Sequence, residues 1–259
     1  MSAETIRVAL CGAAGRMGRS MAAAIAAEPG MQLAAAVERP DHPALGTAIE
    51  GVTLAAALSV TPETIDVVVD FTTPEGAVAR ARQAAHARVA CVTGVTGLDA
   101  TQRAALREAA REIPILHAPN LSPGVAVLGR LAREAGQRLP ADYDIEIVEM
   151  HHRRKRDAPS GTALELAAIL ESVRAGLRRV HGRHGVTEAR GPEEIGIHAL
   201  RGGEVVGEHR IIFAGPGERL ELIHRAESRA AFTAGAIAAV RFVRGRAPGL
   251  YGMADVLGQ

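Results

Sequence analysis

The chain has 259 residues, a formal net charge of +1, 47% hydrophobic residues and 2% aromatic residues with no tryptophan. A near-neutral chain exerts no general pull on nucleic acid or anionic membrane, and so few aromatics leave almost no surface on which bases could stack. No run approaches the roughly 20 apolar residues that span a bilayer, and the opening MSAETIRVAL has no basic segment leading into an apolar stretch, so a cytoplasmic protein is expected.

Along the first 120 residues, continuous apolar runs alternate with helical patterns. IRVALC (6–11), QLAAAVE (32–38), IDVVVDFT (65–72), RVACVT (88–93) and PILHA (114–118) read as parallel strands covered on both faces. Cys11 and Cys91 each end such a run, which suits buried thiols in a reducing compartment better than a disulfide. Helix starts are signalled by Thr72 and Thr73 before Pro74, by Asp99 with Gln102, and by Ser122 before Pro123. This alternation predicts an α/β fold with a doubly wound parallel sheet. Beyond Leu139 the pattern changes. DIEIVEMH (144–151) alternates polar and apolar residues, as a strand with one wet face does, and a helix follows from Ser160. IGIHALR (195–201), EVVGEHRIIFA (204–214) and ERLELIHRAE (218–227) are joined by Gly202-Gly203 and Gly215-Pro216-Gly217, which predicts a meander with one long helix: a second, α+β domain. A last helix, capped by Ser228 and running to about Val243, is expected to pack back on the first domain.

In VALCGAAGRMGRS, Gly12, Gly15 and Gly18 follow the first strand and open a helix, where glycines let a backbone approach a pyrophosphate that the helix N-terminus attracts. The spacing is G-x-x-G-x-x-G rather than G-x-G-x-x-G, so the context carries the signal. Glu38 ends the second strand, where an acid accepts hydrogen bonds from an adenosine ribose, while Arg39 beside it suits a 2′-phosphate. The pair leaves NADH and NADPH both open. DFTTPEG (70–76) and TGVTG (93–97) leave strand ends on the same edge and suit the nicotinamide half of the cofactor.

All but one of the 30 basic residues are arginine; the exception is Lys155, in HHRRKRDAPSGTA. Arginine serves a solvated face as well as lysine does but cannot give up a proton, so the exception marks a site. His151, His152 and Lys155 stand where a strand ends, and Ser160, Gly161 and Thr162 open a helix whose N-H groups suit an anion. A substrate with one or two carboxylates fits. Hydride addition to a C=N or C=C bond leaves an anion to be protonated, which histidine or lysine can do. One short basic run in a near-neutral chain is a poor nucleic-acid patch, and neither His151 with His152 nor His181 with His184 has further ligands at metal-site spacing, so no metal is expected.

GAAGRMGR, VERP, DFTTPEG, TGVTGL, APNLSPGV, EMHHRRKRDAPSGTA and VGEHRIIFAGPGERLELIHRAESR, in this order, closely resemble the 4-hydroxy-tetrahydrodipicolinate reductase family, long called dihydrodipicolinate reductase, over nearly the whole chain. The resemblance implies a Rossmann-like first domain (1–121 with 229–259), a substrate-binding and oligomerisation domain (122–228), a homotetramer, and NAD(P)H-dependent reduction giving tetrahydrodipicolinate in lysine and diaminopimelate synthesis. It implies proton donation by His151 assisted by Lys155, and substrate contacts from Lys155, His152, Gly161 and Thr162. Cofactor contacts are implied for Gly12, Ala13, Ala14, Gly15, Arg16, Met17, Glu38, Arg39, Gly94, Val95, Thr96, Ala118, Pro119, Asn120 and Leu121. Two positions depart from the family pattern: GVTG stands for the usual GTTG, and Leu121 for a common phenylalanine. Cofactor affinity changed by about fivefold at most is expected of them. The expected site lies in a cleft between domains that closes on hinges near Ser122 and Ser228. A different NAD(P)-dependent oxidoreductase of a small dicarboxylate or imino acid, and a non-catalytic nucleotide sensor, are the alternatives.

Overall fold

The structure, a computed structural model, describes residues 5–258; residues 1–4 and 259, the two ends of the expected first domain, lie outside the described residues. The chain forms two compact units, Met1–Pro123 with Arg229–Gln259, and Gly124–Ser228. In chain order the first unit runs β1 (Ile6–Cys11), α1 (Arg16–Ala27), β2 (Met31–Val37), β3 (Ala48–Ile49), β4 (Val52–Ala55), β5 (Val67–Asp70), α2 (Pro74–His86), β6 (Ala90–Thr93), α3 (Ala100–Ala109) and β7 (Pro114–His117). Then come α4 (Pro123–Arg138), β8 (Asp144–His151), α5 (Gly161–Glu171), β9 (Arg178–His181), β10 (Glu194–Arg201), β11 (Gly207–Gly215) and β12 (Glu218–Ala226). The chain returns to the first unit with α6 (Ala230–Val243), β13 (Gly249–Tyr251) and α7 (Met253–Val256).

In the first unit the sheet order is β13-β7-β6-β5-β1-β2-β4-β3, parallel except for the β3-β4 hairpin. Continuous apolar runs give strands buried on both faces because helices cover both. Ala9, Cys11, Val68 and Cys91 share one core with Ala77, Ala81 and Ala84 of α2 and Leu106 and Ala109 of α3. On the other face α6 packs on α1, with Arg241 2.5 Å from Glu28, so the last helix does return to the first unit. Its helical span starts at Ala230, after Arg229, whose backbone is already helical. Thr73 caps α2 ahead of Pro74, and Asp99 and Gln102 form the capping box of α3. The β3-β4 hairpin was not read from the sequence; its turn is Glu50-Gly51, with φ of 47° and 79°, the mirror-image turn that suits a twisted hairpin. β1 lies between β2 and β5, so the order reverses at β1, and the crevice beyond its C-terminal end is where such sheets hold ligands.

The second sheet has the order β12-β11-β8-β10-β9. This corrects the meander. β11 and β12 do form a hairpin about Pro216-Gly217, but β8 is inserted between β10 and β11, parallel to the former and antiparallel to the latter. Gly202 and Gly203 do not fold β10 onto β11; Gly202 donates to the His151 carbonyl and Arg153 to that of Gly203, pinning the connection across the end of β8. A strand's alternation reports its wet face and says nothing about whether it is central, which is why the order was illegible. Helices α4 and α5 cover one face: Leu128, Ala132, Ala163, Leu166 and Leu170 pack on Ile145, Ile147, Ile195, Ile197, Ile211 and Phe213.

Candidate active site

The rows of the second sheet explain how its chemistry is placed. Side chains two apart on a strand share a face. On the helix-covered face, β8 presents Ile145, Ile147, Glu149 and His151, aligned with Ile195, Ile197, Ala199 and Arg201 of β10. Across the other edge Phe213, Ile211 and His209 of β11 pair with Ile145, Ile147 and Glu149. The apolar core therefore turns into a charged cluster at one end of the sheet, where the N-terminus of α5 covers it.

At its centre the Glu149 side chain is fully buried. It accepts from His151 Nδ1 at 2.6 Å, from both terminal nitrogens of Arg201 at 2.8 Å, and from the Ser160 N-H at 3.0 Å. Burial by itself would raise this carboxyl, but the His151 and Arg201 contacts outweigh it and hold the group at about 2. His209, also buried, contacts His151 edge-to-face at 5.2 Å and lies 3.2 Å from Ser160 Oγ. Burial, then the nearby charge of His151, pushes His209 down to about 3, so it is neutral at ordinary pH. Gly207 precedes it; a Cβ there would lie 3.1 Å from His151 Nε2. Lys155, on the loop after β8, pairs with Asp157 at 2.9 Å, and Arg201 donates to the Asp157 carbonyl at 2.5 Å, tying that loop to the same cluster.

Of the sequence-predicted residues, His151, Lys155, Ser160, Gly161 and Thr162 come together here. Ser160 is spent on the fold: its N-H goes to Glu149, and its hydroxyl caps α5 at the Ala163 N-H. Gly161 and Thr162 form the first turn, the anion-attracting end. His152 follows the last residue of β8 and sits near Glu204, which feels its charge. Glu149, Arg201, His209 and Gly207 were missed, although the alternation in DIEIVEMH puts Glu149 on the face of His151. Among the described residues no group of three His, Cys, Asp or Glu side chains is arranged to hold a metal ion.

The first unit carries a second cluster at the end of β1. Gly12 has φ of 76°, and a Cβ on it would lie 2.7 Å from the Phe71 carbonyl, so only glycine fits this turn. Gly15 stands at the cap of α1 and offers no side chain to its first N-H groups. The helix end is left for an anion, which Arg16 and Met17 flank, while Ala13 is wholly buried and has only its backbone to give. Glu38 accepts from the Ala14 N-H at 3.2 Å and from the Arg39 N-H at 3.1 Å, and Arg39 pairs with Asp41 at 2.9 Å in the open. Buried Asp70 braces the neighbouring loops through Thr72 at 2.6 Å and Thr93 at 3.1 Å; burial raises its carboxyl. Gly94 donates to the Asp70 carbonyl and Ala118 to that of Thr93, which fixes the Gly94-Val95-Thr96 and Ala118-Pro119-Asn120-Leu121 loops side by side. Val95 and Leu121 are both buried, Val95 within the core, so the two departures pack the scaffold. These features fit a dinucleotide: a side-chain-free turn, an uncapped helix end and an acid at the second strand.

A parallel sheet with a dinucleotide turn at its switch point, and a second unit with a carboxylate-braced histidine beside a lysine and a helix end, define a nicotinamide-dependent oxidoreductase. Residues 6–121 match the family description "Dihydrodipicolinate reductase, N-terminus" and residues 124–257 "Dihydrodipicolinate reductase, C-terminus". The chain belongs to the dihydrodipicolinate reductase family. It is 46% identical to 4-hydroxy-tetrahydrodipicolinate reductase of Thiobacillus denitrificans, covering 98% of this chain and 99% of that one. Identity to the protein of that name from Rubrobacter xylanophilus is 48%, over 97% and 98% of the two chains. Among solved structures, dipicolinate-bound dihydrodipicolinate reductase from Paenisporosarcina sp. TG-14 is similar at 26% identity and a TM-score of 0.72, covering 96% of this chain and 97% of that one.

Proposed function

We propose that this chain reduces 4-hydroxy-tetrahydrodipicolinate to tetrahydrodipicolinate with NADH or NADPH, in lysine and diaminopimelate biosynthesis. The observation that carries the reading is the end of β8, where His151, Lys155 and the first turn of α5 gather in a chain whose every other basic side chain is arginine or histidine. The substrate is a dicarboxylate, and the solved relative with dipicolinate bound supports that ligand class. One carboxylate is met by the N-H groups of Gly161 and Thr162 and by Lys155, with His152 as a further contact. Replacing a ring hydroxyl by hydrogen consumes one hydride and one proton and releases one water. Gly12 to Met17, Glu38 and the 94–96 and 118–121 loops would hold the dinucleotide, which would supply the hydride. His151 supplies the proton from Nε2, and Lys155 assists.

The Arg39 side chain sits in an exposed pair with Asp41, worth about 0–1 kcal/mol, so it is readily released to a 2′-phosphate while Glu38 serves a ribose hydroxyl; both cofactors are used. The protein works in the cytoplasm, a reading supported by two free, buried cysteines. It assembles as a homotetramer through its second sheet, whose edge strand β12 leaves Leu220 and Ile223 exposed. The test compares wild type, His151→Gln and Lys155→Ala for turnover and for binding of pyridine-2,6-dicarboxylate. Turnover falls at least about a hundredfold in both, and dicarboxylate binding weakens only in Lys155→Ala. Near-normal turnover in both folded variants would sink the assignment.

A further inference from the structure

An ionised carboxylate only accepts hydrogen bonds and has about four places to do so. In Glu149 all four are filled: Oε2 by His151 Nδ1 and one Arg201 nitrogen, Oε1 by the other Arg201 nitrogen and the Ser160 N-H. A filled acceptor dictates the histidine's protonation: Nδ1 must carry hydrogen, which leaves Nε2 as the atom that gains and loses the mobile proton. Nε2 lies close to Gly207, where a Cβ would come within 3.1 Å of it. Arg201 fixes the carboxylate in a bidentate grip and also holds the Asp157 carbonyl, on the loop from which Lys155 reaches.

We propose that Glu149, clamped by Arg201, is a positioning residue for proton transfer: it holds His151 in the Nδ1-H form and aims Nε2 at the substrate. The inference rests on His151 being the proton donor. Charged and titratable groups face His151 from every packed element: Glu149 on its own strand, Arg201 from β10, His209 from β11 with His224 of β12 behind it, and Lys155 from the loop. Among the described residues Glu149 is the carboxylate that hydrogen-bonds the ring, and the buried His209 is neutral, so the ring's orientation is set by Glu149.

The test has two readouts on the full-length protein. Glu149→Gln keeps the size but removes the charge and turns a donor toward Arg201 or Ser160. Its kcat should fall at least about tenfold, more than KM for the substrate rises, because the carboxylate orients the donor and does not bind the substrate. In wild type, ring-nitrogen NMR of His151, assigned by its loss in His151→Gln, should find the neutral ring protonated at Nδ1. A folded Glu149→Gln with unchanged kcat, or one whose whole effect falls on KM, overturns the role. So does an Nε2-H ring in wild type, whether or not the variant folds. Near-normal turnover of His151→Gln would instead remove the donor reading on which the role rests, and that outcome is distinct from an Nδ1-H ring with an unaffected Glu149→Gln.

Discussion

Gly207 shows how much the site depends on one missing methyl group. Its Cβ would sit 3.1 Å from His151 Nε2 and 3.9 Å from His209 Cε1, so Gly207→Ala pushes the ring from its aim without touching Glu149. A misplacement of about 1 Å costs about a hundredfold in rate, and the smaller shift needed here correspondingly less; kcat of Gly207→Ala should fall about threefold to tenfold while cofactor binding holds, as steady-state kinetics with cofactor titration would show. His209 governs a different quantity. An unfolded chain protonates this ring near 6.5, the folded chain only near 3, because burial and then the His151 charge oppose the cation. Between those values the unfolded state binds more protons, so the contribution is complete above pH 6.5 and is lost as pH falls through 3, at up to about 1.4 kcal/mol per pH unit. His209→Gln should flatten the fall of the urea midpoint between pH 6.5 and 4.5; an unchanged slope would contradict the buried neutral ring. At this scale the sequence is uneven. Lys155 is conspicuous because it is the chain's single lysine, whereas Glu149 is one of 29 acidic residues, and what distinguishes it is Arg201, 52 positions away, and a backbone N-H from α5.

Among the elements, β8 and α5 do most to build the site. Alternation in β8 carries a single face from Ile145 and Ile147 into Glu149 and His151, and the start of α5 closes over that end. Ser160 joins the two, capping Ala163 with its hydroxyl and reaching His209, while its N-H holds Glu149. Ser160→Ala keeps the N-H and loses the hydroxyl, so the cost is a cap and a buried partner, about 1–2 kcal/mol of stability. Chemical denaturation checks this, with kcat expected to change less than in Glu149→Gln. Nine strands and the helix starts at Thr73, Asp99 and Ser160 were legible because periodicity and capping act over a few residues. The insertion of β8 between β10 and β11 was not, since pairing partners are chosen by the whole face. The Glu50-Gly51 hairpin was legible in principle from its glycine but is too short to show a period.

For the molecule as a whole, two features visible in the sequence locate the chemistry: a glycine turn after the first strand, and a lone lysine beside paired histidines. The resemblance supplied what spacing could not, the reaction and the ring. Cofactor choice stays a matter of balance between Glu38, engaged by backbone N-H groups, and Arg39, loosely paired at the surface. Arg39→Ala should raise KM for NADPH about tenfold, the loss of a charge-assisted contact of about 1.5 kcal/mol, and leave KM for NADH nearly unchanged. Equal effects on the two would remove Arg39 from the 2′-phosphate. The most direct test of the account follows absorbance of NADH and NADPH in parallel, with substrate generated in situ from pyruvate and aspartate semialdehyde. Oxidation of one cofactor per substrate consumed, with either cofactor, is the expected result. No oxidation by folded protein that binds both cofactor and dicarboxylate would contradict it.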